Sequence, residues 1–157
     1  MVSINWCLKL KKGIEIIESN ENMSESYLKM AEESLRIIKK VKEESKIWFA
    51  STTYYSLYYA LYSVMMKIGI KCEIHSCTIE FMKRFLINLY NEEDIELLEN
   101  AFEIRQDVQY YPNRLFNLKK LNLIADKLPD FFIKTKEIIS NLSEKEIEEI
   151  RLRLKNV

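Results

Sequence analysis

The chain has 157 residues, 24 basic and 24 acidic side chains and 48% hydrophobic residues. That length suits one compact domain able to bury a core without metal or disulfide support. The even charge balance excludes a general field that would draw it to nucleic acid or an anionic membrane, so any anion site must be local.

With only two Gly and two Pro, and Lys, Glu, Ile and Leu in abundance, the composition favours long helices over strands, and an all-α fold is expected. The expected domain spans residues 1–157, with its core over about 22–140 and a terminal helix over about 143–156. Three widely spread cysteines do not compose a disulfide framework, and the N-terminus lacks the pattern of a secretory signal, so a reducing cytoplasm is the expected location.

A first helix is expected from about Asn5 to Ile17. Asn22 followed by Glu25 reads as a capping box opening a second helix that ends near Ser45. The stretch from Ile47 to Met66 carries no charge. Its hydroxyls, on Tyr54, Tyr55, Tyr58, Tyr59 and Tyr62 with Ser51, Thr52, Thr53 and Ser56, argue against a membrane span and for the central helix of a bundle or a dimer face. Gly69 reads as its C-terminal cap, and Ser76 as the N-cap of a fourth helix reaching Tyr90. Asn91 caps a fifth helix that Pro112 must end. A sixth helix runs from about Lys119 to Ser140, kinked or split at Pro129. Ser143 and Glu146 form a capping box for a last amphipathic helix that turns Ile147, Ile150 and Leu154 inward.

The fifth helix contains an anomaly. Its inward stripe runs Ile95, Leu98, Phe102, Arg105 and Gln109, so a guanidinium occupies a core position. Arginine does not shed its charge, and a packed stripe must offer it carboxylates, carbonyls, water or a bound anion. Two readings stay open: an acid on a neighbouring helix satisfies Arg105, or Arg105 lines a cleft that holds phosphate. The surrounding run, Glu103-Ile-Arg-Gln-Asp-Val-Gln-Tyr-Tyr-Pro112, crowds polar groups into a helix end. Arg105 and Tyr110 differ by about 140° in direction on an ideal helix, so they are expected to converge only across a cleft or where the helix unwinds.

Cys72, His75, Cys77 and Cys7 supply four soft ligands by count, but their spacing lacks the second pair of common zinc modules, and neither a metal nor a cofactor is expected. His75 is expected to help hold the start of its helix, the cysteines to pack as small apolar residues, and the Arg36, Lys39, Lys40 and Lys42 cluster to be a solvated face.

The Tyr54-Tyr-Ser-Leu-Tyr-Tyr-Ala60 helix, the Gly69 loop leading to His75, and the Arg105-x4-Tyr110 element together resemble the HEPN domain, from about Trp6 to Leu128. The likeness is to the small stand-alone prokaryotic branch that carries Arg-x3-Asp-Tyr where other members carry Arg-x4-6-His. It implies an up-and-down helical bundle that dimerises with its two Arg elements facing each other. It also implies a toxin-like partner of a minimal nucleotidyltransferase, binding RNA or nucleotide or cutting RNA without metal. By position Arg105 matches the family Arg and Tyr110 the family Tyr, while Gln109 stands where the branch has Asp and no residue matches the catalytic His. The phosphate-contacting set implied is Arg105, Gln109 and Tyr111, and the catalytic set Arg105 and Tyr110, with Asp107 as a substitute base.

Metal-free RNA cleavage needs a base for the 2′-hydroxyl, an acid for the leaving oxygen and positive charge at phosphorus, and Arg105 supplies only the last. A phenol of ordinary pKa is about 0.1% ionised at neutral pH, a poor base. Tyr110 and Tyr111 also lie near the place where, in some HEPN systems, the partner enzyme nucleotidylates a tyrosine; the alternative is that both phenols seal the helix end against Phe116. A third reading is a non-catalytic helical interaction module whose Arg105 closes a salt bridge across a dimer interface.

Overall fold

A computed structural model describes residues 2–111 and 113–157. Among the described residues, seven helices and one two-stranded sheet form an all-α helical bundle with short flanking helices. The order is α1 (Ile4–Lys9), β1 (Glu15–Ile16), α2 (Glu21–Glu44), α3 (Lys46–Ile68), β2 (Ile70–Lys71), α4 (His75–Phe85), α5 (Glu92–Tyr110), α6 (Leu118–Asn141) and α7 (Glu144–Lys155). Among the described residues no helix is long and apolar enough to cross a membrane.

Helix α3 is the hub, packing against α2, α5 and α6. Tyr54, Leu57, Leu61, Val64 and Met65 are fully buried, whereas Ile47 and Trp48 in its first turn are exposed. Its charge-free sequence is therefore that of a helix enclosed on most sides. Gly69 ends it in the left-handed conformation (φ 80°), as its sequence position suggests. A side chain there would also collide with the Arg151 guanidinium and the Ile17 carbonyl. Arg151, reaching over from α7, donates to the carbonyls of Ile17 (2.8 Å) and Ile68 (3.0 Å) and so satisfies a carbonyl that the end of α3 leaves open.

Both expected later caps are present: Asn91 with Asp94, and Ser143 with Glu146, exchange side-chain to backbone bonds. Ile147, Ile150 and Leu154 are buried, as the amphipathic pattern of α7 requires. Helix α6 runs unbroken through Pro129. Helix α5 ends at Tyr110, and Pro112, expected to end it, lies outside the described residues.

Several element boundaries before α5 depart from expectation. Helix α1 stops at Lys9 and the chain turns into β1, which pairs antiparallel with β2 in the register Glu15 with Lys71 and Ile16 with Ile70. The Ile14 N–H returns to the Cys7 carbonyl (3.0 Å), a closed turn in place of a longer helix. The second helix is capped by Asn20, whose side chain accepts from the Met23 N–H, rather than by Asn22. Helix α4 begins at His75 after an uncapped Ile74, not after Ser76, and ends at Phe85 rather than Tyr90.

The cysteine reading is also corrected. Cys7 and Cys77 form a disulfide, with Cα atoms 5.6 Å apart, and Cys72 is free and buried. Their separation of 70 residues hid the pairing, because it depends on α1 docking on the start of α4. Reduction, or joint Cys7→Ser and Cys77→Ser substitution, is expected to cost about 4 kcal/mol, since it frees a 70-residue loop in the unfolded chain. Urea denaturation with and without reductant measures this, and coincident midpoints would show that the two thiols are not joined.

Candidate anion-binding site

The inward stripe of α5 is present through Arg105: Ile95 and Leu98 are buried, Phe102 is half-buried, and Arg105 is only 9% exposed. Gln109 departs from it. Its residue is exposed, and its side-chain amide donates to Ser51 Oγ on α3 (3.2 Å).

No carboxylate lies within ion-pair distance of Arg105 among the described residues, so the reading in which an acid on a neighbouring helix satisfies it does not hold within the chain. Its surroundings are phenols instead. One terminal nitrogen, Nη2, donates to the Tyr55 hydroxyl at 3.2 Å. The guanidinium carbon lies 5.7 Å from the Tyr54 ring centroid, 5.6 Å from that of Tyr55 and 6.0 Å from that of Tyr110. The π-faces of such rings attract a cation, by about 0.5–2 kcal/mol each depending on desolvation, but they accept no strong hydrogen bond. The buried Nε–H accordingly has no acceptor among the described residues. The Tyr55 oxygen accepts from Arg105, which leaves its own O–H without an acceptor among the described residues.

His75 enters from the start of α4. Its Nδ1 meets the Tyr54 hydroxyl at 2.6 Å, and its ring stands 4.5 Å from the Tyr58 ring and 6.1 Å from that of Phe102. The imidazole pKa is held below its ordinary 6.5, first by burial and then by the Arg105 charge, so the ring is neutral at pH 7. Burial, with neighbouring phenols, raises the Tyr54 and Tyr58 hydroxyls well above the ordinary range, and both stay protonated. Tyr62, farther along α3, is pushed up to about 12, chiefly by burial, and its hydroxyl accepts from the Cys72 N–H at 3.0 Å.

The expected site residues divide into two groups. Tyr110, 64% exposed, does meet Arg105. The expectation that they converge only across a cleft or at an unwound turn is thus corrected: the helix is intact through Tyr110, and the guanidinium carbon lies 6.0 Å from the ring centroid on the same helix. Asp107 turns the other way and pairs with Arg114, so it is not placed as a base beside Arg105. Tyr111 stands with that pair, its ring centroid 4.5 Å from the Arg114 guanidinium carbon. Neither phenol seals the helix end, since Tyr111 is 53% exposed.

Sequence reasoning missed Tyr54, Tyr55 and His75 as members of the site. The available signal was a run of hydroxyls on the charge-free helix facing an arginine that had no acid in its own stripe. Cys7 and Cys77 are bonded to each other and do not serve as thiolate ligands beside His75. No family model matches the chain, and no curated protein matches it either.

Two predictions follow from this packing. Arg105→Leu removes a buried charge that no carboxylate balances, and is expected to leave stability within about 1 kcal/mol of wild type or to raise it. A loss above about 2 kcal/mol in chemical denaturation would instead assign Arg105 a structural role. The second concerns pH. The unfolded chain takes up the His75 proton more readily than the folded one, so this residue's contribution is complete above pH 6.5 and falls away as pH drops toward the lower folded-state value. His75→Phe should flatten the stability profile in that window, and an unchanged slope would mean that His75 titrates alike in both states.

Proposed function

We propose that this chain is a HEPN-type RNA- or nucleotide-binding protein, with Arg105 as its phosphate contact in a cleft between two copies, and that it acts as the toxin-like partner of a minimal nucleotidyltransferase. One observation carries the reading: an arginine only 9% exposed that has, among the described residues, no carboxylate partner and no acceptor for its Nε–H. Phenols supply attraction to the cation yet leave its net charge in place, and a bound phosphate would complete it. The Tyr55 O–H, left over after its oxygen accepts from Arg105, is a second donor suited to the same anion. A homodimer fits this reading, because one shallow half-site per chain becomes a paired site across a two-fold axis.

The second reading, a metal-independent endoribonuclease using Arg105 and Tyr110, is favoured by the exposed Tyr110 ring beside the guanidinium. It needs a base other than Asp107, whose carboxylate is engaged with Arg114. Exposure of Tyr110 and Tyr111 also suits them to nucleotidylation by the partner enzyme.

The test is fluorescence anisotropy with labelled single-stranded RNA and with a labelled adenine nucleotide, comparing wild type and Arg105→Ala at moderate salt. Loss of one charge-assisted contact is expected to weaken binding by roughly tenfold to a hundredfold. Equal affinity for both proteins would sink a phosphate site at Arg105. End-labelled RNA cut in EDTA by wild type but not by Tyr110→Phe would move the reading to the nuclease.

A further inference from the structure

The tautomer of the chain's only histidine can be worked out from its partner. Tyr54 is completely buried, and its hydroxyl has one hydrogen-bond partner among the described residues, His75 Nδ1 at 2.6 Å. A buried O–H must donate to something, because leaving it unpaired costs about 1–3 kcal/mol. Tyr54 therefore donates and Nδ1 accepts. A neutral imidazole that accepts at Nδ1 carries its proton on Nε2. Nε2 is not among the buried atoms that lack a partner, and it makes no hydrogen bond to a described residue, so it faces solvent from a half-buried ring.

His75 and Arg105 share the same two rings. Tyr54 lies 5.5 Å from the imidazole and 5.7 Å from the guanidinium carbon, and Tyr55 lies 6.1 Å from the first and 5.6 Å from the second. Helices α3, α4 and α5 thus set the Arg105 guanidinium, the Tyr55 hydroxyl and the His75 imidazole around the same two rings, near enough for the Arg105 charge to act on the imidazole. Among the described residues, none of the groups that face the imidazole is an anion: they are Tyr54, Tyr55 and Tyr58 from α3 and Phe102 and Arg105 from α5.

We propose that His75 is a ligand-contacting residue of the Arg105 site, donating from Nε2–H to an oxygen of the same bound phosphate ester, with Tyr54 as the positioning residue that fixes its tautomer. The proposal rests on the phosphate-site reading above and deepens it. It also sets a chemical limit. In this tautomer His75 presents a proton at its accessible nitrogen, so it acts there as a hydrogen-bond donor and not as the base that RNA cleavage requires. The arrangement selects for an anion with several acceptor oxygens, as a phosphate ester has.

A single histidine gives a single set of imidazole signals, which makes the test direct. Long-range ¹H–¹⁵N spectra of the wild-type protein at pH 7.5 should show the Nε2–H tautomer, and Tyr54→Phe should lose that fixed pattern. Adding 5′-AMP or inorganic phosphate should shift the Nε2 resonance in wild type and leave it unmoved in Arg105→Ala. In binding measurements His75→Phe should weaken 5′-AMP about tenfold, the loss of one hydrogen bond. His75→Gln, whose amide N–H can reach the place of Nε2–H, should recover much of it. Wild type that binds neither 5′-AMP nor phosphate would overturn the phosphate site and this proposal together. Normal binding by wild type and by a folded His75→Phe would overturn the role of His75 alone, and so would an Nδ1–H tautomer in the free protein.

Discussion

An arginine cannot discard its proton, and Arg105 carries that permanent charge into a place where the bundle is nearly closed to water. The surrounding helices answer it with phenols: the Tyr55 oxygen, which accepts from the guanidinium, and the ring faces of Tyr54, Tyr55 and Tyr110. This answer is partial by its nature, since quadrupoles and a neutral oxygen attract a cation without cancelling it. The tyrosine-rich face of α3 is thus shaped by two demands, filling the core and tolerating a charge. The same charge reaches His75 and, together with burial, keeps its imidazole neutral.

Three separate ties on the chain around His75 help to position it. The disulfide joins α1 to the first turn of α4, the β1–β2 pair aligns the chain after Gly69, and the Glu73 N–H donates to the Lys12 carbonyl at 2.9 Å. Ile74 offers no side-chain cap, so the start of α4 depends on these connections and on the Tyr54 contact. Gly69 serves the same end. Its left-handed turn lets the chain leave α3 beside Ile17 and brings β2 next to β1. Residues far from Arg105 in sequence therefore govern how the imidazole is set beside it.

The division at the end of α5 has a consequence for chemistry. Arg105 with Tyr110 forms one group; Asp107, Tyr111 and Arg114 form another, in which the acid is already paired and the ring already faces a cation. Anion recognition needs only donors and positive charge, which the first group has. Cleavage by acid and base needs a free proton acceptor as well, and the one carboxylate in these groups, Asp107, is engaged with Arg114. A binding role asks for less than a catalytic one from the residues that converge here.

The helices could be read from the sequence because they follow from local rules: the scarcity of Gly and Pro, Gly69 in its left-handed turn, the Asn91 cap, and the Ser143 cap with Glu146 three residues on. Arg105 could be read as buried and odd, because a stripe spaced three and four residues apart marks what faces inward whatever the partner is. Its partners could not. That phenols and an imidazole surround it, that Asp107 turns to Arg114, and that Cys7 meets Cys77 across 70 residues are facts of packing between elements. The early helix boundaries failed for the same reason, as the turn after α1 is held by pairing with a strand some fifty residues on. Periodicity states which face of a helix is inside; only the assembled fold decides what that face meets.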